Sequence, residues 1–420
     1  MLFSQFDLPD ILQQSFVRLG FTAPTPIQEL AIPLALQGRD ILGSAPTGTG
    51  KTGAFVIPIL AKMMNDSQSG RALILTPTRE LAAQILKVVH SLLPKRSNIY
   101  TALLIGGEAM GKQFRDLKNN PQIIVGTPGR VNDHLQRRSL NLKDAHFLVL
   151  DETDRMLDMG FGIQLDEIMK YMPSERQTLM FSATLAPGIV KLSSRYLNNP
   201  ERIAVGAVNE AALNIDQQVL HMKHAGKYSQ LMKELDARQG SVIVFVKTKR
   251  GAEELADRLA ADEHSVDAIH GDLRQRERDR AIHAFRNKRF RVMVATDVAA
   301  RGLDIPHIEH VINYDLPQTP EDYIHRIGRT ARAGQSGSAM SFVSPSEGNM
   351  WKEITRLLQG KMGPEAAPFA VEQKKPQQQK RRNGPPHGDQ PRGGPKKPGG
   401  FKFKKRFGAE KKQAQSSRGH

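Results

Sequence analysis

The chain of 420 residues carries no cysteine, 39% hydrophobic residues and a formal charge of +17. The lack of thiols excludes disulfides, thiolate metal centres and thiol nucleophiles and suits a reducing, cytoplasmic setting, while the positive surplus asks for a polyanion, either nucleic acid or an anionic membrane. No apolar run approaches a membrane span, and the opening MLFSQFDLPD lacks the basic region and apolar core of a secretory signal, so neither membrane insertion nor export is expected.

In chain order, short apolar runs alternate with helical patterns, the mark of a parallel sheet covered by helices. The strands expected in the first half are DILGS, ALILT, TALLI, QIIVG, FLVL and TLMFS; those in the second are QQVLH, SVIVFV, VDAI, RVMVA, HVINY and SAMSFV. The two series agree in order and character, ALILT corresponding to VIVFV, FLVL to HVINY and TLMFS to SAMSFV. Two similar α/β domains follow, over residues 1–206 and 214–362, with a linker at 207–213 and a last helix from Trp351 to Met362. Beyond Val371 the chain holds 15 Lys/Arg against 3 Asp/Glu, a net +12, leaving only +5 for the rest. Residues 363–420 are expected to be a disordered, basic Gln/Pro/Gly-rich tail. It serves either as a solubilising extension or as a nucleic-acid tether; Phe401, Phe403 and Phe407 among the cations favour the tether, because bases stack on aromatic rings.

The first chemical motif is ILGSAPTGTGKTGAF. A short strand enters a turn of small residues, Ala45, Pro46, Thr47, Gly48, Thr49 and Gly50, and a helix leaves it at Lys51 and Thr52. Ala45 stands where the strict P-loop pattern has Gly. Backbone N–H groups of such a turn face phosphate oxygens, Lys51 neutralises the β/γ phosphates, and the Thr52 hydroxyl suits magnesium. An ordinary turn with a chance GKT is the plainer alternative, and the order strand, loop, helix argues against it. Pro58, inside that helix, is expected to kink it or end it early.

A P-loop site needs an acidic group at the end of a neighbouring strand to hold magnesium. FLVLDETD supplies it: Asp151 is the first residue past the strand, Glu152 can orient or deprotonate water, and Asp154 is left to bond elsewhere. Alone, three acids would read as a solvated helix start; the upstream GKT changes that. Met156, Leu157, Met159 and Phe161 read as core packing. The second half has no GKT, but HRIGRTARAG spaces Arg326, Arg329 and Arg332 three apart, which is either a solvated basic face or a set of charges aimed at a phosphate. His270 and His325 lack a metal-ligand pattern.

On these residues the chain resembles a DEAD-box ATP-dependent RNA helicase of superfamily 2 over about residues 1–345, and within that family it is similar to bacterial RhlE-like proteins. FTAPTPIQ resembles the Q motif, APTGTGKT motif I, DETD motif II and SAT, Ser182 to Thr184, motif III; PTRELA, Gly106-Gly107 and TPGR resemble the first domain's RNA-contacting motifs. VIVFVKT, HGDLRQRER, ATDVAARGLD and HRIGRTARAG resemble motifs IV, IVa, V and VI. The resemblance implies two tandem RecA-like domains, each a parallel sheet with helices on both faces, using ATP and Mg2+ to open short RNA duplexes.

It further implies that Gln28 reads the adenine edge, with Phe3 and Phe21 beside the ring, and that Asp304 contacts the ribose. Arg329 and Arg332 would reach the γ-phosphate when the domains close, and Asp154, Ser182, Thr184 and His325 would couple the domains. RNA would lie on Thr78, Arg79, Gly107, Thr127, Arg130, Thr248, Gln275, Arg278, Thr296 and Arg301, although some of these charges could instead be salt-bridged surface groups. Further partners implied are ribosomal precursor particles or RNA-decay machinery, and the expected state is a monomer. Thr153 departs from the family's usual alanine, and its hydroxyl is expected to alter bonding to the SAT segment. Two other readings stand beside the RNA helicase: an ATP-gated RNA clamp or annealing chaperone, and a DNA-directed helicase. Gln28 with its Q motif favours RNA, and Glu152, Arg329 and Arg332 together favour turnover.

Overall fold

A computed structural model describes residues 2–46, 48–66, 70–183, 185, 187–205, 215–300, 305, 307–331 and 337–362. The first half opens with helices α1 (Asp10–Leu19) and α2 (Pro26–Leu36). Strands β1 (Ile41–Ser44), β2 (Ala72–Leu75), β3 (Thr101–Leu104), β4 (Ile123–Gly126), β5 (Phe147–Leu150), β6 (Gln177–Ser182) and β7 (Glu201–Ala204) follow. They form one parallel sheet in the order β3-β4-β2-β5-β6-β1-β7. Between them lie α3 (Lys51–Asn65), α4 (Arg79–Leu92), α5 (Met110–Lys118), α6 (Pro128–Gln136), α7 (Thr153–Asp158), α8 (Gly162–Met169) and α9 (Pro187–Tyr196).

The second half repeats the plan with β8 (Ile215–His221), β9 (Ser241–Phe245), β10 (Val266–Ile269), β11 (Val292–Ala295), β12 (Ile308–Asn313) and β13 (Gly337–Val343), ordered β10-β11-β9-β12-β13-β8. Its helices are α10 (Lys227–Ala237), α11 (Lys249–Ala261), α12 (Gln275–Arg286), α13 (Asp297–Ala300), α14 (Pro320–Ile327) and α15 (Gly348–Met362).

The strands read as unbroken apolar runs because both sheet faces are covered. Along β2, Ile74 faces one core and Leu73 and Leu75 the other; along β5, Val149 opposes Leu148 and Leu150 in the same way. The second sheet divides likewise, Ile243 and Met293 from Val242, Val244 and Val294. The twelve expected strands are all present, and α15 contains the expected last helix. β7 was not foreseen: in ERIA only Ile203 is buried, so this edge strand has no apolar run to betray it. The helix after the P-loop does not end at Pro58 but continues to Asn65. The flanking residues from Ala54 to Ala61 are all buried, and that packing outweighs the one backbone hydrogen bond a proline removes. The expected linker and the expected tail lie outside the described residues.

Lys227 opens α10 with a side chain shut off from solvent. Its Nζ donates to Tyr314 O at 2.6 Å, to Asp315 Oδ1 at 3.2 Å and to Glu347 Oε2 at 2.9 Å, tying the end of β12 to the start of α15. Burial pushes the Glu347 carboxyl up, but hydrogen bonds from Ser344, Lys227 and the Leu316 N–H outweigh it and hold the pKa below its usual value. A lowered carboxylate stabilises the fold above the unfolded pKa and loses that contribution as pH falls through the folded one. Lys227→Met should therefore cost about 2–4 kcal/mol in urea denaturation near neutral pH, because two partly buried carboxylates lose their cation. The difference from the parent should shrink in acid as Glu347 protonates.

Candidate active site and nucleic-acid interface

Three strand ends of the first sheet meet at its carboxyl edge, where open α/β sheets bind ligands. β6 lies between β1 and β5, so the P-loop and the DETD turn flank the SAT segment. All three are stitched together. The Ala45 N–H donates to Ser182 O at 3.1 Å, the Ala183 N–H donates to Asp154 Oδ2 at 3.1 Å, and Thr153 Oγ1 lies 3.2 Å from both Leu150 O and Phe181 O.

Within the loop, Gly48 and Gly50 take left-handed backbone angles, φ 85° and 91°. Gly50 leads directly into α3, whose first N–H groups are free of intrahelical partners. Thr49 Oγ1 donates to Pro46 O at 2.8 Å, and buried Lys51 donates from Nζ to Ala45 O at 2.7 Å, bridging the loop. Gln28 locks the loop from outside: its Oε1 accepts from the Thr25 N–H at 3.0 Å and its Nε2 donates to Gly50 O at 3.0 Å. A Cβ at Gly50 or Gly53 would stand 2.7 or 2.5 Å from that nitrogen and displace the amide, and at Gly50 the left-handed backbone asks for glycine as well. One N–H and one lone pair of the Gln28 amide remain for a base edge. Phe3 corrects an expectation. It is buried, 4.5 Å from the Phe16 ring and stacked under Phe21 at 6.4 Å, so it supports the exposed Phe21 ring and offers no open face of its own.

Burial pushes the Asp151 carboxyl up to about 7; Lys51 opposes this, while Glu152 and Asp154 add to it. Asp151 Oδ1 accepts the Glu152 N–H at 2.9 Å. Glu152 adopts φ 52°, a left-handed conformation that costs a non-glycine residue on the order of 1–3 kcal/mol and turns its side chain away from the strand direction. The Thr153 proton, shared between the Leu150 and Phe181 carbonyls, holds that turn closed and reaches the strand that leads into SAT.

The second domain brings α14 to this edge. Arg326 is buried in a structural role, donating to both Asp297 oxygens at 2.5 and 2.7 Å, to Asn313 Oδ1 and to Asp315 O. Buried Arg329 donates from Nε to His325 O at 3.0 Å. Asp154 reaches SAT within its own domain, and His325 Nδ1 has no hydrogen-bond partner among the described residues. One cross-domain contact joins Arg155 to Asp322, a pair that residue types alone did not mark.

Of the expected RNA positions, Thr78, Thr127 and Thr248 precede α4, α6 and α11, and the hydroxyls of Thr78 and Thr248 accept the Leu81 and Gly251 N–H groups. Thr296 is buried at the start of α13. Arg130 donates to Met110 Sδ. Gly107, at φ 82°, lies under Arg79, where a Cβ would come 2.5 Å from a guanidinium nitrogen. Gln275 and Arg278 are buried. Arg79 donates to Gln275 Oε1 at 3.1 Å, and Arg278 pairs with Glu80 at 2.8 Å across the domains, each side chain 8% exposed. Glu80 was missed, though an acid inside PTRELA among so many cations was a usable signal. Desolvation, then the charge of Arg278, lowers the Arg79 pKa, and Arg130 adds to this against Glu80 alone. The patch therefore keeps a positive surplus. Thr47, Thr184, Arg301, Asp304 and Arg332 lie outside the described residues. Cavity size does not mark this site: two roomy cavities, about 540 and 640 Å³, open by Ser241 and Arg291 and by Leu142 and Tyr171, at the amino ends of the strands.

Fold and site define a two-domain P-loop nucleotide hydrolase with a basic interface. The family model for DEAD/DEAH box helicases matches residues 25–192, and that for the helicase conserved C-terminal domain matches residues 226–334. The ATP-dependent RNA helicase CshA of Listeria monocytogenes is 44% identical over 367 residues, which covers 87% of this chain and 70% of the relative. The chain belongs to the DEAD-box family of ATP-dependent RNA helicases. The narrower likeness to RhlE-like proteins rests on the motifs alone. A variant of S. cerevisiae Dbp5 bound to RNA and ADP BeF3 superposes with a TM-score of 0.77 at 35% identity, over 85% of this chain and 93% of that one. A Dbp5 variant bound to Nup159, a Gle1 variant, IP6 and ADP gives 0.57 at the same 35% identity, over 83% and 92%. Among the described residues no helix is long and apolar enough to cross a membrane.

Thr153→Val keeps the branched shape and removes the hydroxyl, leaving two buried carbonyls short of a donor at a cost of about 1–3 kcal/mol. Thermal unfolding should fall accordingly, and duplex opening per ATP hydrolysed should drop while Thr153→Ser stays near the parent. Equal values for Val and Ser would mean that the hydroxyl carries no coupling.

Proposed function

We propose that the cleft between the two domains hydrolyses ATP and uses domain closure to strand-separate short RNA duplexes without sequence preference. The observation that carries this is the joining of P-loop, SAT and DETD by direct hydrogen bonds, with Arg329 brought to the same edge from the second domain. In this reading the loop amides from Ala45 to Thr52 and the Lys51 ammonium bind the β/γ phosphates, Glu152 orients the attacking water, and Arg329 with Arg332 stabilises charge on the transferred phosphoryl group. A cation in trans of this kind contributes about 10³–10⁵ in rate.

The donor set fits magnesium. Burial raises the Asp151 carboxyl first and the charges of Glu152 and Asp154 raise it further, with Lys51 the one cation opposing them, so a divalent ion would favour its ionised form. Magnesium takes most of its ligands from phosphate and water, so one or two protein oxygens suffice. Thr52 and Asp151 would hold it, and it would draw charge from the phosphate oxygens.

RNA would run over Arg79, Arg130, Gly107 and the helix starts at Thr78, Thr127 and Thr248, with Thr296, Gln275, Arg278 and Arg301 completing the second half of the track. These groups suit phosphates and sugars, which carry no sequence information directly. The better match to the RNA-bound form of Dbp5 than to the Nup159- and Gle1-bound form, at one and the same identity, supports a closed arrangement here. Residues 1–206 and 214–362 would be the working domains and 363–420 an RNA tether. Ribosomal precursor particles and RNA-decay machinery are the partners this activity suits.

Steady-state ATP hydrolysis should rise with added RNA and stay low with matched DNA. Glu152→Gln should abolish the rise by at least about 100-fold while ATP-dependent RNA binding persists. Binding without turnover in the parent protein would establish a clamp. Removing residues 363–420 should flatten the slope of log affinity against log salt, since released counterions scale with phosphate contacts; an unchanged slope would refute the tether.

A further inference from the structure

Arg155 and Asp322 meet across the domain boundary with 4% and 7% of their side chains exposed. We propose that this pair is a register latch, a positioning device that admits one closed alignment of the domains and so decides where α14 delivers Arg329; the proposal rests on the closure-driven ATPase described above.

Both partners are held before they meet. The Arg155 N–H donates to Asp154 Oδ1 at 3.0 Å, and the other Asp154 oxygen holds the Ala183 N–H, so Arg155 rides on the DETD–SAT junction. Asp322 lies in the first turn of α14, where Thr319 Oγ1 donates to its second oxygen at 3.0 Å. One turn further on α14 places His325, and Arg329 bonds back to the His325 carbonyl. The space left between Arg155, Asp322, His325 and Arg329 is about 10 Å³, which admits one water at most.

A dry ion pair adds little net attraction, because desolvation of both charges offsets their Coulomb energy. Misalignment is different. A closed state that buries one charge without the other suffers the full desolvation penalty, whereas parted domains return both charges to water. The pair thus discriminates against wrong closed registers far more than it draws the domains together. Its burial also leaves it screened by salt much less than exposed surface charges are.

The test uses the full chain with four changes: Arg155→Met, Asp322→Asn, the exchange Arg155→Asp with Asp322→Arg, and the apolar double Arg155→Met with Asp322→Leu. The readout is the ratio of RNA affinities with and without a non-hydrolysable ATP analogue, together with KM for ATP, kcat and thermal midpoint. Each single change should lower the RNA–nucleotide coupling ratio by about 100-fold, and the apolar double should recover most of it, because replacing a buried pair by apolar side chains is close to neutral. The exchanged pair should recover part. Coupling at the parental level in both single variants, or loss in the singles with no recovery in either double whose thermal midpoint is parental, would overturn the latch. A parent chain without RNA-stimulated hydrolysis would instead overturn the functional reading; an active parent with fully coupled single variants strikes the latch alone.

Discussion

Burial of like charge at the carboxyl edge of the first sheet is the constraint on which this molecule turns. Asp151 and Glu152 are 3% and 9% exposed, and Lys51 beside them 7%. Such a cluster is tolerable only if something else neutralises it. The raised Asp151 carboxyl is the signature of that imbalance, since burial and the neighbouring acids both favour its neutral form. A nucleotide alone would worsen the imbalance; a nucleotide with a divalent cation corrects it.

The same logic governs the second domain. Arg326 is neutralised inside its own domain by Asp297 and roofed by the Phe245 ring at 4.9 Å, so it shapes α14 without leaving it. Arg155 with Asp322 and Arg278 with Glu80 are satisfied only when the domains are together. Two cross-domain pairs restrict the approach of the domains more than a single pair would. The Glu80 pair also lies within the basic patch beside Arg79 and Arg130.

Most of the architecture was legible because buried parallel strands are apolar on both faces, and nothing else in this chain combines ALIL, IIVG and FLVL with short polar turns. The site was legible for a different reason: P-loop, DETD and SAT are local stretches whose spacing survives in the sequence. What escaped was non-local or compensated. β7 has one buried side chain and gains its place from pairing with β1. Pro58 is tolerated inside α3 because of what surrounds it. Phe3 and Phe21 are both aromatic, and only packing shows that one supports the other. Arg155 and Asp322 are 167 positions apart in sequence, and no periodicity links an arginine in a six-residue helix to an aspartate in another domain.

Thr153 shows how a small departure can be read once its neighbours are known. A hydroxyl in a fully buried place must find an acceptor, and both available acceptors are carbonyls at the ends of adjacent strands. One belongs to the strand that carries the acids and the other to the strand that carries SAT. An alanine there would leave those two ends joined only through Asp154 and the sheet ladder. With threonine, the left-handed turn at Glu152 and the start of SAT share a proton, so movement of one is felt by the other. The hydroxyl therefore adds a link between the DETD turn and the strand that leads into SAT, at the junction on which Arg155 is mounted.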